Sequence, residues 1–346
     1  MLMRVDAGTT AGLGHLDRCL ALAVAAREAG VESRFVTAGA VAGLGRADAA
    51  GFATTAMDLP AAWTGDDLRA TVEAARAADC DRVVVDPDRP DEHYLAGLRR
   101  AGFFVTAIDD LAAHPFACQL VVNNDADAES LHYVSSTGDT RFLLGPRYAL
   151  LGPDFRDLTL LEGDPAGPRS VLIVLGGADH LGLTPRLVTA VAALPTVERV
   201  TAVVGPFATN LAAVQAAAAT ARCSVRVVHA PTIMAPLMAE ATIAVSAAGQ
   251  TLYRLARVGC PTVAVQAAAN QRGQLEALAR AGVLEAVRWR AGEDVAPIVA
   301  AAARLLGDPD ARGRMRAAGR RLVDGQGAAR VVAAITTASG VPAERG

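Results

Sequence analysis

Aromatic residues are scarce, 4% of the 346 positions, and no stretch carries a long block of one charge sign. With 33 Lys and Arg against 36 Asp and Glu, the formal net charge is −3. A broad nucleic-acid footprint needs clustered cations, so that class is excluded while a local phosphate pocket is not. The cysteines, Cys19, Cys80, Cys118, Cys223 and Cys260, are irregularly spaced, with no CxxC pair to hold a metal. The N-terminus does not join a basic region to a long apolar segment, so the expectation is a reducing, cytoplasmic setting without membrane insertion. A true GxGxxG dinucleotide fingerprint is also missing.

What is abundant is Ala, Val, Leu and Gly, within a hydrophobic fraction of 52%. That composition suits helices covering both faces of a parallel sheet, and the length accommodates two α/β domains of roughly 150 residues each. In the first half, strands are predicted at Leu2–Val5, Glu32–Val36, Arg82–Asp86 and Phe103–Ile108, with helical runs such as Asp67–Ala77 and Tyr94–Arg100 between them. Gly, Pro and charged residues between Glu162 and Ser170 make the clearest composition break. Beyond it, strands at Ser170–Leu175, Arg199–Val204, Val225–His229, Ala241–Ser246 and Cys260–Val265 again alternate with helices, the last at Ala328–Ile335. The domains are set accordingly at 1–158 and 168–335, with a tail at 336–346.

The stretch from Val5 to His15 organises the first domain. Gly8, Gly12 and Gly14 permit close backbone turns and leave amides at a helix start for an anion or a sugar hydroxyl. His15 stands where an imidazole can face a cleft and take a proton near neutral pH, or where it merely caps or packs the helix. Asp6 can order a polar network at the strand end or act as a cap, and Arg18 can pair with it or meet a phosphate. Asp109 can orient a hydroxyl or a water, with Asp110 capping the following turn, or both acids can be structural. Tyr148 and Arg147 can line a cleft or form connector core.

In the second half, Gly176 and Gly177 can bring amides to a pyrophosphate or simply turn the chain. The segment Ser246-Ala247-Ala248-Gly249-Gln250-Thr251 offers amides and the Thr251 hydroxyl to a diphosphate, or close packing of helix on strand. Asn270 and Gln271 can bind sugar or phosphate oxygens. Arg312, Arg316 and Arg320 recur every four residues as a positive stripe that can contact an acidic surface or a phosphate, and it reads first as a solvated helix face.

Taken together, Gly12-Leu13-Gly14-His15 with Arg18-Cys19, Ile108-Asp109-Asp110, Leu144 to Leu151, Gly176-Gly177-Ala178-Asp179 and the Asn270-Gln271 region resemble PseG-type UDP-sugar hydrolases and the wider spore-coat polysaccharide glycosyltransferase-like group. The resemblance runs over nearly the full chain. It implies a GT-B fold, two Rossmann-like α/β domains facing across a cleft, with 1–158 as the sugar-side catalytic domain and 168–335 as the nucleotide-binding domain. In such an enzyme of carbohydrate biosynthesis, His15 activates water for attack on the anomeric carbon of a nucleotide-linked amino or deoxy sugar. UDP departs, and neither a cofactor nor a metal is required. On the sugar side the resemblance sets Asp6, Gly12, Gly14, Arg18, Asp109 and Tyr148. On the nucleotide side it sets Gly177, Ala248, Gly249, Gln250, Thr251, Arg254, Asn270 and Gln271. The alternatives are a glycosyltransferase, in which His15 deprotonates a sugar or small-molecule acceptor, and a non-catalytic sugar-nucleotide binding protein.

The chain departs from the family pattern at three of these positions. The family commonly has a glycine and a serine where Ala248 and Gln250 stand, and a glutamate where Arg254 stands. Arg254 therefore adds a donor and removes an acceptor at a nucleotide-sugar contact. Arg254→Glu is expected to raise affinity for UDP-linked amino sugars relative to other nucleotide sugars in calorimetric titrations. Unchanged relative affinities would remove Arg254 as a specificity switch.

Overall fold

A computed structural model describes residues 1–6, 13–38, 44–57, 59, 62–86, 91–160, 162–165, 167–266 and 271–337. Two compact units result, one from residues 1–153 together with 326–346, the other from 154–325. In the first unit β1 (Leu2–Val5), α1 (Gly14–Glu28), β2 (Arg34–Ala38), α2 (Gly45–Ala49), β3 (Ala53–Met57), α3 (Gly65–Ala77), β4 (Arg82–Asp86) and α4 (Glu92–Arg100) follow one another. They lead to β5 (Phe104–Ile108), β6 (Leu120–Asn123) and β7 (Arg141–Leu144). The strands form one sheet in the order β3-β2-β1-β4-β5-β6-β7, with every pair parallel. Chain order reverses between β1 and β4, and such a switch point is where doubly wound sheets bind ligands.

Alternating side chains feed cores on both faces of this sheet. Met3, Val5, Val84 and Val122 join Leu16 and Leu22 of α1 on one face. Leu2, Val83, Val85 and Val121 meet Leu95 and Leu98 of α4 on the other. α1 is alanine-rich and buried through much of its circumference, because the C-terminal helix α13 (Gly327–Thr337) covers it with Val331, Val332 and Ile335.

α13 thus belongs to the first unit, and the second unit ends at 325 where the sequence placed its end at 335. The first crossing between units, at 153–154, comes ahead of the composition break read between Glu162 and Ser170, and the second crossing has no composition break beside it. The tail set at 336–346 begins inside α13, and residues 338–346 lie outside the described ones. Contact is close at the start of the helix. A Cβ on Gly327 would lie 2.2 Å from the Ala149 carbonyl oxygen and 2.5 Å from the Ala149 nitrogen.

The short α5 (Pro153–Arg156) spans the first boundary. The second unit then runs β8 (Ser170–Val174), α6 (Thr184–Ala192), β9 (Arg199–Val204), α7 (Leu211–Ala219), β10 (Ser224–His229), α8 (Ala235–Ala239) and β11 (Ile243–Ala247). It finishes with α9 (Thr251–Val258), β12 (Thr262–Val265), α10 (Arg272–Arg280), β13 (Leu284–Val287), α11 (Ala296–Gly307) and α12 (Pro309–Leu322). Its sheet has the order β10-β9-β8-β11-β12-β13, again all parallel, with its switch point between β8 and β11.

The arginine row of α12 faces inward and not to solvent, meeting an acid as the other reading of its spacing allowed. Arg312 and Arg316 are buried and both reach Asp164, at 2.6 and 2.9 Å. Arg312 also donates to the carbonyls of Leu305 and Leu306 at the end of α11, and Arg320 to that of Val258 at the end of α9. Guanidinium groups thereby satisfy helix carbonyls that have no partner of their own within the helix. Among the described residues, no helix is long and apolar enough to cross a membrane.

Two glycines give opposite expectations under alanine substitution. Gly327→Ala forces backbone apart where α13 docks and is expected to cost about 1–3 kcal/mol. Gly313, inside α12, has open space where a Cβ would stand, so Gly313→Ala is expected to add about 0.5–1 kcal/mol. Urea unfolding of the two variants checks both signs.

Candidate functional site

The polar groups of the first unit converge at its switch point. β4 ends in Asp86, which is buried, and the first turn of α1 presents His15 toward it. The His15 Nδ1 lies 2.7 Å from Asp86 Oδ1. An ionised carboxylate only accepts, so Nδ1 donates in this contact and Nε2 is the basic nitrogen of the neutral ring, while Arg18 Nη2 stands 3.1 Å from the same Nδ1. One helical turn on, Arg18 donates from Nε to Asp86 Oδ2 at 2.6 Å and from Nη2 to Asp86 Oδ1 at 2.5 Å. Its remaining nitrogen, Nη1, donates to both oxygens of Asp110 at 2.8 and 2.9 Å. The Cys19 thiol completes the surroundings, 3.5 Å from Asp86 Oδ2.

Charge explains why this cluster holds together. Burial pushes the Asp86 carboxyl up, but Arg18 and His15 outweigh it and hold the group at about 2. Burial opposes the Arg18 charge too, yet Asp110 and Asp86 keep it well above its ordinary value. The Cys19 thiol moves upward through burial and the neighbouring Asp86 charge, so it stays protonated and unreactive. A histidine with an ionised carboxylate on Nδ1 is equipped to accept a proton at Nε2 and to be stabilised once it becomes imidazolium.

The remaining sugar-side residues are distributed less compactly. Arg18 does not bond Asp6, as one reading of the sequence allowed; it is committed to Asp86 and Asp110. Asp6 is held by the buried Arg4 at 2.6 and 3.1 Å, and its Oδ1 also accepts from Thr37 Oγ1 and the Ala38 amide. That carboxylate ties the ends of β1 and β2 together. Arg4 is itself fixed by buried Asp67, which accepts from Tyr94 Oη at 2.7 Å. Asp109 spends Oδ1 on the amides of Leu111 and Ala112 and on the Tyr133 hydroxyl. The roles read for the adjacent acids are therefore exchanged in the geometry: Asp109 orders the turn and Asp110 reaches the cluster. Tyr148 packs against the core, with the Arg147 guanidinium 5.2 Å from its ring centre. Gly14 opens α1 with free space at its Cβ direction, and Gly12 lies outside the described residues.

From the sequence Asp86 was given no role of its own: it closes the run Val83-Val84-Val85 and heads the polar stretch Asp86-Pro87-Asp88-Arg89-Pro90, which can contact a substrate or make an ordinary turn. Pairing of β4 with β1 is what sets it opposite His15.

In the second unit the nucleotide-side residues gather at the carboxyl ends of β8, β11 and β12. Gly176 turns the chain after β8 with φ +86°, and the Gly177 carbonyl accepts the Phe207 amide at 3.0 Å. Asp179 then caps α6, accepting from the amides of Leu183 and Thr184 and from Asn210 Nδ2. After β11, Ala248 is tied to the Val265 carbonyl at 2.8 Å, and Gly249, Gln250 and Thr251 lead into α9, which has no side-chain cap and no acid in its first turn. Gln271 precedes α10, and its Nε2 would lie 3.9 Å from a Cβ on Gly249, which brings it to the same loop. The buried pair Tyr253 and Gln274, 3.0 Å apart, locks α9 to α10. Arg254 is half-buried, its guanidinium 5.8 Å from the Phe155 ring centre. Asn270 lies outside the described residues.

The Asp86 charge makes a pH prediction. Because its folded value, about 2, lies below the ordinary 3.8, its contribution is fully present above pH 4 and is lost as pH falls toward 2. That contribution is about 2 kcal/mol. Unfolding free energies between pH 4 and 2 are expected to fall less steeply in Asp86→Asn than in the parent, by about that amount.

No family model matches the chain. It is similar to the spore coat polysaccharide biosynthesis protein SpsG of Bacillus subtilis (strain 168), with 28% identity over 215 residues. That alignment covers 60% of this chain and 61% of SpsG, so less than two thirds of the relative is spanned. Among solved structures, MurG of Acinetobacter baumannii superposes with a TM-score of 0.66 and 18% identity over 97% of this chain and 99% of its own. The spinosyn forosaminyltransferase SpnP gives 0.67 and 15% over 97% of each chain. These likenesses agree with the two parallel sheets and their strand orders: the chain has the GT-B fold, built from two Rossmann-like α/β domains.

Proposed function

We propose that the chain is a glycosyltransferase that uses a nucleotide-linked amino or deoxy sugar, with His15 as the general base. The observation that carries this reading is the His15–Asp86 pair, oriented and charged by Arg18. The acceptor hydroxyl gives its proton to His15 Nε2 as its oxygen bonds the anomeric carbon. The bond from that carbon to the diphosphate breaks, and the nucleoside diphosphate leaves. Asp86 holds the imidazole tautomer and stabilises the imidazolium that forms. Charge on the departing diphosphate calls for fixed donors, and the uncapped start of α9, with Thr251 and Gln271 nearby, supplies amide and side-chain donors of that kind.

Transfer is preferred to hydrolysis because SpnP, a solved protein of this fold, is named a forosaminyltransferase, and nothing in the His15 pair demands that the nucleophile be water. Hydrolysis is the second reading, favoured by the motif likeness around Gly14-His15 and Arg18-Cys19. The same base then activates water.

Purified protein incubated with UDP-, TDP- and GDP-linked amino and deoxy sugars, with and without glycan or small-molecule acceptors, separates the two. Acceptor-dependent release of nucleoside diphosphate is expected. Equal release without any acceptor would establish hydrolysis in its place, and binding without turnover would reduce the chain to a sugar-nucleotide binding protein. His15→Ala is expected to slow turnover by about 10²–10⁴-fold while calorimetric nucleotide affinity stays within a few-fold. Turnover equal to that of the parent would remove His15 as the base.

A further inference from the structure

Arg18 is tied to more charge than the orientation of one carboxylate requires. Nε and Nη2 already engage both oxygens of Asp86, yet Nη1 makes two further bonds to Asp110. Asp110 has little need of Arg18 for its own sake, because its side chain is 27% exposed and water can solvate it. Its loop is held from the other side, where Asp109 accepts the Leu111 and Ala112 amides and the hydroxyl of Tyr133. Tyr133 is fixed in turn by Asn123 at the end of β6, whose Nδ2 lies 2.8 Å from its oxygen. Asp110 is thus presented to Arg18 by a braced loop.

We propose that Asp110 is a positioning residue for the His15 imidazole: it holds the far end of Arg18 so that the guanidinium lies square on Asp86, and it offsets part of the guanidinium charge that would otherwise oppose a proton on His15. The inference rests on His15 serving as the base. Among the described residues, the charged and titratable groups bonded to Asp86 or to Arg18 include His15, Arg18 and Cys19 from α1, Asp86 from β4 and Asp110 from the loop after β5. Cys19 is neutral, so two carboxylates share one guanidinium and the set carries a net negative charge that favours the imidazolium. Removing the charge at position 110 while keeping an oxygen for Arg18 leaves the guanidinium competing with His15 for Asp86. Proton affinity at His15 must then fall.

Asp110→Asn in the full chain tests this, because the site is partly exposed and the substitution keeps size and shape. The first readout is the His15 imidazole titration followed by NMR without substrate. The second is the pH profile of kcat/KM with a turned-over nucleotide sugar. The expected result is a downward shift of the His15 midpoint and of the acid limb by roughly half a unit to one unit. KM for the nucleotide sugar should hold within about twofold while kcat falls by roughly 3–10-fold, and Asp110→Glu should recover most of the titration shift. An unshifted His15 titration in a folded Asp110→Asn variant overturns the proposal, as does Asp110→Glu behaving like Asp110→Asn. The NMR arm needs no turnover, so its failure and the failure of the glycosyl-transfer reading are separately visible. A shifted titration in a protein that turns over no nucleotide sugar supports the control of His15 by Asp110 and removes the proposed reaction.

Discussion

An ionised carboxylate at the end of β4 cannot be buried alone. Withdrawing such a charge from water carries a desolvation penalty of several kcal/mol, and a single hydrogen bond to a neutral donor does not offset it. Asp86 meets this requirement with the guanidinium of Arg18 across both oxygens and the imidazole of His15 on one of them. Those two partners come from one face of α1, three residues apart, so the carboxylate fixes the rotation of α1 about its axis as well as its height above the sheet. Once α1 is fixed, α13 packs in the same core as α1 through Val331, Val332 and Ile335. The polar demand of one side chain is thereby linked to the docking of the end of the chain.

Similar physics orders the second unit with the signs reversed. There the buried charges are guanidinium groups, and they are met by Asp164 and by carbonyls at the ends of α9 and α11. Arg257 adds to the set, donating to the carbonyls of Phe155 and Arg156. These carbonyls lie at helix ends or in non-helical segments, so α9 is gripped at its C-terminal end while its N-terminal end stays at the loop after β11. A Cβ on Gly259 would meet Arg320 Nε at 2.5 Å, and Gly259 has φ +79°, so glycine is required there both for the left-handed turn and for the approach of the arginine.

Much of the fold was legible because strands buried on both faces are written as apolar runs. Val83-Val84-Val85 and Val171-Leu172-Ile173-Val174 leave little choice of conformation, and β4 and β8 follow them. The edge strands were less readable: β3 reads Ala-Thr-Thr-Ala-Met and β13 reads Leu-Glu-Ala-Val, each packed less fully and carrying weaker β preference. In the cluster, His15 was singled out by its place after the glycines at a helix start, but its partner Asp86 was not, since 71 residues separate them and pairing of β1 with β4 makes them neighbours. The choice between Asp109 and Asp110 depends on which way a turn points a side chain, and adjacent acids after a strand leave that undetermined. The direction of the α12 arginines failed for a related reason. Spacing of four defines a face, but whether that face meets water or Asp164 is set by the path of a distant loop.

A comparison of two helix starts in the second unit sharpens where an anion can be received. Both α6 and α9 follow a central strand through a glycine-containing turn, and the sequence offered both to a diphosphate. At α6 the positive end is already matched, because Asp179 accepts from the Leu183 and Thr184 amides and is itself held by Asn210. A phosphate there would have to displace a carboxylate that three donors retain, while facing that carboxylate's charge. At α9 the N-cap residue, Gln250, makes no side-chain capping bond and no acid stands in the first turn, and the amide dipoles are set beside Thr251 and Gln271. Gly177 is then better understood through its carbonyl, which fixes the neighbouring turn at Phe207, than through an amide offered to phosphate. The glycine required at that crossing is Gly205, where a Cβ would stand 2.3 Å from the Gly177 oxygen. Of the two helix starts, that of α9 is therefore the more electropositive, since the carboxylate that neutralises α6 has no counterpart in the first turn of α9.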